Sequence, residues 1–423
     1  MKSFYNMLVY GSLPFALARI FYKSFRLREY RERISERFGL VSFPQLKNSI
    51  WLHAVSVGEA QTSLPICFKL REKFPQIPIV ITTTTPTGSN IVKKNLKSNM
   101  FHSYLPYDLN KFVKRYINHI NPVCFIVMET EIWPNLFCNL HKNNVPIIIV
   151  NGRISPWSYK NYLKIKFFMS EILGKCSYIL VQNEEYAKRF INIGAPSENV
   201  KIFGNIKFDI PIPQDKVKIG RELKQKYLKE YKILIGASTH GDEEKVLLEI
   251  YINLKRKSNN FKLILVPRHP ERFNLINDLC KSYGLIVHRR SWDLVPSGDF
   301  DVYLGDSMGE MMMYYAMSDV AFVGGSLEKI GGHNVLEPAA IGIPVVIGPN
   351  YFNFQEIVDV FKENNAIVIA RDKLGLEKKI LKLFQDEQTR TCIVENAKIV
   401  LDKNKGALLK TLDIIYSLVE KRI

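Results

Sequence analysis

From Ser49 onward the chain alternates short apolar runs of strand length with longer amphipathic stretches, and this alternation restricts the fold more than any other feature. The first series runs Ile50–Val55, Ile77–Thr83, Val123–Met128, Val145–Val150 and Tyr178–Val181, with helical stretches such as Glu59–Lys73 and Trp133–Asn143 between its members. A second series runs Ile233–Ala237, Phe261–Val266, Leu285–Val287, Val302–Leu304, Val320–Val323, Pro344–Ile347 and Ala366–Ile369. Continuous apolar runs suit strands buried on both faces, and strands separated by amphipathic helices predict parallel sheets with crossover connections. Between the two series, Asp209–Lys232 contains Pro211, Pro213 and a Lys-rich polar segment without a buried-strand run. That composition predicts a domain boundary. The chain thus reads as two doubly wound, Rossmann-like α/β domains over 48–210 and 233–400, joined by a linker over 211–232. Open parallel sheets bind ligands beyond the carboxyl ends of their strands, so two such domains are expected to face each other across a cleft.

Length and composition narrow the class. With 423 residues and 47% hydrophobic content the chain can fill more than one core, which excludes whole-chain disorder. The later apolar runs are too short to span a bilayer, which excludes a polytopic membrane protein. Six cysteines lie far apart without a C-x-x-C pair, the usage of reduced thiols in a cytosolic compartment. The formal net charge of +18 suits a nucleic acid, a membrane surface or an anionic substrate, so its placement matters more than its size. Residues 1–50 hold nine basic and three acidic side chains. Phe4–Ala18 is apolar and aromatic, and a dense Arg run follows it. Residues 1–47 are therefore expected to form an uncleaved N-terminal membrane anchor, spanning or lying flat in the interface, that holds a cytoplasmic body at the inner membrane. An amphipathic helix packed on its own domain is the bland alternative. A signal peptide fits less well, because the charge follows the apolar part and no small-x-small cleavage site appears.

The densest local signal is Phe322–Gly348, FVGGSLEKIGGHNVLEPAAIGIPVVIG. A strand ending in Gly324-Gly325, a loop with Gly331-Gly332 and a helix starting near His333 or Asn334 would let backbone N–H groups approach a phosphate. Glu337, one turn into that helix, is placed to accept both hydroxyls of a ribose. Asp299-Phe-Asp301 spells a D-x-D of the kind that holds a metal, yet it opens a strand after Pro296-Ser-Gly298 and reads as turn residues. The eight histidines show no close ligand pairing in the sequence, so neither zinc nor another metal is expected.

His53-Ala-Val-Ser-Val-Gly-Glu59, Thr82–Ser89, Tyr104–Leu109, Met128-Glu-Thr-Glu-Ile-Trp-Pro-Asn135, Asn205–Asp209, Ala237–Glu244, Val266–Phe273, Gly305–Glu310 and Gly331–Pro338 follow one another in an order similar to the motif series of the Kdo transferases. These are GT-B glycosyltransferases that move 3-deoxy-D-manno-octulosonic acid (Kdo) from CMP-Kdo onto a lipid A precursor. The resemblance runs to about Asn353 and is weak over the last 70 residues. It implies an inverting, metal-independent transferase of lipopolysaccharide core biosynthesis, with no cofactor beyond the donor substrate. It implies that Glu59 is the general base, and that Glu129 and Lys207 assist near the transition state. It also implies that Pro267, Arg268, Gly309, Glu310, Met311, Asn334, Val335, Leu336 and Glu337 bind the CMP moiety, and that 401–423 returns as a helix to the first domain. Each position has a structural alternative: Glu59 as a first-turn carboxylate on the helix dipole, Glu129 or Glu131 as a cap, Lys207 as a solvated linker charge, Arg268 as a rim residue and Met311 as core. Two other readings of the whole remain. One is a GT-B-fold enzyme using a UDP-sugar, as transferase or epimerase. The other is a basic binding module, disfavoured for nucleic acid because no basic-aromatic recognition motif is present.

Overall fold

The structure is a computed structural model that describes residues 2–25, 28–210, 212–295 and 299–423. The chain divides into two compact units, Met1–Asp209 with Lys405–Ile423, and Ile210–Asn404. In the first unit the strands are β1 (Ser49–His53), β2 (Ile79–Thr83), β3 (Met100–Tyr104), β4 (Pro122–Met128), β5 (Ile147–Gly152), β6 (Tyr178–Val181) and β7 (Val200–Ile202). Its helices are α1 (Lys2–Ser24), α2 (Val57–Lys73), α3 (Pro86–Lys94), α4 (Asn110–Ile120), α5 (Pro134–Lys142), α6 (Pro156–Lys164), α7 (Lys166–Leu173) and α8 (Glu184–Asn192). The strands form one parallel sheet in the order β3-β2-β1-β4-β5-β6-β7, so the order reverses between β1 and β4. Every residue of β1, β2, β4 and β5 is buried, as their unbroken apolar runs require.

Two strands escaped the apolar-run reading. In β3 the buried His102 and Ser103 interrupt the pattern, and each is satisfied locally: His102 meets Thr83 Oγ1 at 3.0 Å and Arg33 at 3.1 Å, and Ser103 meets Tyr116 Oη at 2.6 Å. Strand β7 lies at the sheet edge with Lys201 and Ile202 exposed, where little apolar content is needed.

The second unit contains α9 (Gln214–Tyr227), β8 (Lys232–Thr239), α10 (Glu243–Lys257), β9 (Phe261–Pro267), α11 (Phe273–Ser282), β10 (Val287–Arg289), β11 (Val302–Leu304), α12 (Met311–Ala316), β12 (Val320–Val323), α13 (Leu336–Ile341), β13 (Val345–Ile347), α14 (Gln355–Glu363), β14 (Val368–Ile369), α15 (Lys373–Gln385) and α16 (Glu387–Asn404). Its sheet is also parallel, in the order β10-β11-β9-β8-β12-β13-β14, with the reversal between β8 and β12. The span expected as a linker is mostly helix α9, which buries Val217, Gly220 and Leu223. A Cβ at Gly220 would lie 2.3 Å from the Met313 carbonyl oxygen, so α9 packs on α12 at backbone distance. Its surface lysines hide this one buried stripe from a reading of composition.

The chain ends in α17 (Ala407–Glu420), which belongs to the first unit. Ala407, Leu412, Ile415 and Val419 join the core shared by α2 and the β1–β4 layer. Asp209 fixes the start of this helix: its carboxylate accepts from the N–H groups of Gly406 and Leu408, each at 2.6 Å.

Helix α1 is pinned by its first turns. Tyr5 Oη donates to Asp108 at 2.7 Å, and Asn6 Oδ1 accepts from Asn135 Nδ2 at 2.7 Å. Farther along, Met7, Leu8, Tyr10, Phe15, Phe21 and Tyr22 are exposed. Among the described residues no helix is long and apolar enough to cross a membrane. The spanning form of the expected anchor is therefore unsupported; Asn6, Gly11, Ser12 and Pro14 dilute the apolar stretch below what a bilayer crossing needs.

Candidate active site

In an open parallel sheet, side chains at the carboxyl ends of the two strands flanking the order reversal converge on a common crevice. In the first unit those strands are β1 and β4. Strand β1 runs into a turn that starts α2 with Ser56 as N-cap, and Glu59 occupies the third helical position. Ser56 Oγ accepts from the Glu59 N–H at 3.3 Å and donates to Glu59 Oε1 at 2.8 Å, while Glu59 Oε2 accepts from the Val55 N–H at 2.9 Å. This is a capping box, so Glu59 performs the structural task open to it in the sequence. The carboxylate is nevertheless buried and faces Glu129. Burial first, and then the Glu129 charge, push its pKa up against the lowering effect of the Val55 and Ser56 bonds.

Glu129 follows β4 with φ 58°, a left-handed conformation that a non-glycine residue adopts only where the surroundings enforce it. Its carboxylate accepts from Arg153 Nε at 2.6 Å. Glu131 completes a group of three carboxylates: burial, Glu59 and Glu129 raise it to about 7. Burial and repulsion between the carboxylates thus raise both Glu59 and Glu131 in this crevice. Lys207 sits on a 3-10 turn, Ile206–Phe208, beyond the carboxyl ends of β5 and β6. The Ile206 N–H donates to Asn151 Oδ1 at 3.0 Å, and Asn205 Nδ2 donates to Gln182 at 3.2 Å. Lys207 is thus held at the same sheet edge as Glu129, although no bond joins the two among the described residues.

In the second unit the flanking strands are β8 and β12. Pro267 ends β9 with its side chain buried, and the Arg268 N–H donates to Thr239 O at 3.1 Å while its guanidinium is exposed. Glu337 is half-buried; burial raises its pKa, against Asn334 Nδ2, which donates to it at 3.1 Å, and the Arg268 charge. Arg268, Asn334 and Glu337 therefore share one neighbourhood. Gly309, Glu310 and Met311 form another: Glu310 accepts from Arg290 at 3.0 Å and from Ser307 Oγ, and Met311 packs against the core.

Three readings gain detail that the sequence does not show. The N–H groups of the glycine loop do not await a phosphate: Gly325, Ser326 and Leu327 donate to the buried Glu243 carboxylate at 2.7, 3.0 and 2.9 Å. A Cβ at Gly324 would lie 2.5 Å from Ser238 O and 2.7 Å from Glu243 Oε2, so this glycine serves packing of the loop on β8. The side chains of Val335 and Leu336 are buried, and the Leu336 N–H is bonded to Asn334 Oδ1 at 3.1 Å. The histidines do gather, since His240, His269 and His333 meet at the second unit's order reversal from three separate segments. Among the described residues no group of three His, Cys, Asp or Glu is arranged to hold a metal. In the D-x-D, Asp301 accepts from Tyr251 Oη at 2.8 Å and the Ile286 N–H at 3.0 Å, a packing role; the turn at 296–298 lies outside the described residues.

Sequence reasoning missed Arg153, Glu131 as a titrating partner, and the histidine group. Arg153 had no motif around it, whereas Glu131 lay inside the Glu129-Thr-Glu131 segment and needed only the sheet order to place it beside Glu59. Motif residues also turn out to have separate tasks. Asp108 caps α5 by accepting from the Asn135 and Leu136 N–H groups at 2.9 and 2.8 Å, and Thr85 caps α3.

The chain resembles known proteins along its whole length. A family model described as 3-deoxy-D-manno-octulosonic-acid transferase matches residues 32–210, and one for glycosyl transferases group 1 matches residues 225–400. The chain is 38% identical to the 3-deoxy-D-manno-octulosonic acid transferase of Haemophilus influenzae over 426 residues, covering 100% of both. A solved C-terminal CMP-Kdo binding domain of WaaA from Acinetobacter baumannii is 40% identical, covering 44% of this chain and 98% of that one with a TM-score of 0.43. The UDP-GlcNAc 2-epimerase of Neisseria meningitidis shares the fold at 13% identity and a TM-score of 0.52, covering 86% of this chain and 100% of that one. Two parallel-sheet α/β units of GT-B type with these motifs make the chain a glycosyltransferase, and it belongs to the 3-deoxy-D-manno-octulosonic acid transferase family.

Proposed function

We propose that this enzyme transfers Kdo from CMP-Kdo to a lipid A precursor in lipopolysaccharide core biosynthesis, with inversion at the anomeric carbon and Glu59 as general base. The observation that carries the assignment is a buried carboxylate at the β1–α2 turn whose pKa is raised by burial and by Glu129. A base moved toward neutral pH accepts a proton more effectively than an ordinary carboxylate. In the reaction the acceptor hydroxyl attacks the anomeric carbon, its proton passes to Glu59, and the bond to the CMP phosphate oxygen breaks. No covalent enzyme intermediate is needed. Arg268 supplies charge to the donor phosphate, Asn334 and Glu337 suit the ribose, and Lys207 offers a cation to developing negative charge without a metal. Glu129, fixed by Arg153, keeps Glu59 basic.

The acceptor is a bilayer lipid, and the proposed location is the cytoplasmic face of the inner membrane. The exposed aromatic and apolar side chains of α1, with Arg19 and Lys23, support a helix lying in an anionic interface. Trp157 and Phe167 extend the same chemistry, since Tyr5 of α1 packs on Phe168 with ring centroids 5.8 Å apart. The test is incubation of the purified enzyme with CMP-Kdo and a lipid A precursor, with products weighed by mass spectrometry. A mass gain of one or more Kdo units supports the reading and counts the sugars. Absence of product with CMP-Kdo, alongside turnover of a UDP-sugar, refutes it.

A further inference from the structure

At the order reversal of the second unit the rings of His240 and His333 meet end to end, with centroids 4.9 Å apart and planes 13° from parallel. Their Nε2 atoms are 2.7 Å apart. Two imidazole nitrogens at this distance are joined by one proton, so one ring donates from Nε2 and the other accepts there. The accepting ring must then carry its own proton on Nδ1, which leaves the donating ring with a bare Nδ1. A second proton has one place to go, and it would add both an N–H donor and a unit of charge.

The surroundings are positive. His269 meets the His240 ring edge-on, with centroids 5.1 Å apart at 81°, and is itself near Glu271 at 3.8 Å. Arg272 is balanced by Glu244 at 3.0 Å. Among the described residues the exposed Arg268 guanidinium has no carboxylate within ion-pair distance. Glu243 lies beneath the loop and accepts from the His240 N–H at 3.0 Å, but its oxygens are also occupied by the glycine-loop N–H groups. Glu328 reaches the Asp242 N–H at 3.5 Å, Asp242 pairs with Lys245 at 2.8 Å, and Glu337 responds to Arg268. The balance holds both imidazoles neutral: burial first, and then the neighbouring histidines and arginines, lower His240 and His333 to about 4 each.

We propose that His240 and His333 form a proton-loading anion clamp, in which a phosphate group settling beside Arg268 draws one proton onto the pair and is held by the resulting imidazolium. The proposal rests on the reading of the second unit as the donor side. It assigns two binding residues that the donor-site expectation did not include, and it gives donor binding a pH dependence. The sign follows from linkage. The free pair titrates near 4 and the anion-bound pair higher, so binding takes up a proton and affinity falls as pH rises between those two values. Within that window the slope approaches about tenfold per pH unit for one proton.

The probe is cytidine 5′-methylphosphate, a phosphodiester anion whose phosphate does not titrate near neutral pH, with sulfate as an anion without a nucleoside. Calorimetry in two buffers of different ionisation enthalpy measures proton uptake from about pH 5.5 to about pH 7.5, and ring-nitrogen NMR follows the two histidines. The expected result is net proton uptake, affinity that falls at least about threefold across this range, and loss of both effects in His333→Gln with its melting temperature checked. Ester binding that is independent of pH, without proton uptake, overturns the clamp and leaves the donor reading intact. Sulfate raising the histidine midpoints while the ester fails to bind supports the clamp and refutes the donor reading. No response to either probe refutes both.

Discussion

Replacing Glu59 by Gln separates the two tasks that the structure gives this residue. The capping box uses Oε2 as acceptor for the Val55 N–H at 2.9 Å and Oε1 as acceptor for the Ser56 hydroxyl at 2.8 Å. A Gln side chain can keep both contacts: its carbonyl oxygen faces Val55 N–H, and its amide NH2 donates to Ser56 Oγ, whose hydroxyl turns to accept. Loss of the negative charge at the helix start costs about 0.3–1 kcal/mol, and loss of repulsion from Glu129 together with the desolvation cost of the carboxylate acts in the opposite direction. The net change in stability is expected within about 1 kcal/mol, a shift of a few degrees in Tm. Activity should behave differently, because removal of a positioned general base lowers the rate about 10²–10⁴-fold. Ser56→Ala is the converse variant: it loses an N-cap bond at a cost of about 0.5–2 kcal/mol but leaves the carboxylate in place. Thermal melts and initial rates of Kdo transfer, measured on both variants, give the comparison. Glu59→Gln with transfer within about threefold of wild type would refute the base assignment, since so small a change is under 1 kcal/mol of barrier. Because the pKa of Glu59 is raised, the rate should climb with pH along an acid limb lying above the ordinary carboxylate range.

Further expectations follow from other contacts. Glu131 binds its proton more tightly folded than unfolded, about 7 against 4.5, so its contribution to stability is favourable at low pH and is lost as pH rises through about 7. Glu131→Gln should therefore raise Tm at pH 8 relative to wild type and change it little near pH 4.5; equal effects at both pH values would contradict the carboxylate cluster. Gly324→Ala would push a methyl against Ser238 O and Glu243, and a loss of about 1–3 kcal/mol in urea unfolding is expected. Arg268→Ala should raise KM for CMP-Kdo, with kcat/KM falling about tenfold or more for a lost charged hydrogen bond. Exchanging Phe15 and Phe21 for Ser should reduce flotation with vesicles of anionic phospholipid, and unchanged flotation would remove α1 as the interfacial element.

The apolar runs and their spacing were enough to read two parallel-sheet α/β units, because strands buried on both faces must be apolar along their whole length and crossover helices must be amphipathic. The ordered motifs likewise led to the enzyme family, since residues such as Glu59, Glu129 and Arg268 fall where strands end. Local sequence was silent wherever a buried polar group is satisfied from a distance. Strand β3 hides behind His102 and Ser103, and the stripe of α9 hides among lysines, because partners 13 residues or more away made those choices acceptable. The same distance dependence governs the chemistry. Glu129 comes to raise the proton affinity of Glu59, and Glu59 that of Glu131, only because the order β1-β4 makes distant strands neighbours. The glycine-loop N–H groups look available in the sequence and are taken in the structure by Glu243, which lies 82 residues before Gly325. Which residue types can do chemistry is thus written along the chain; which of them meet, and so which protons and charges they share, is decided by the sheet order that brings strand ends together.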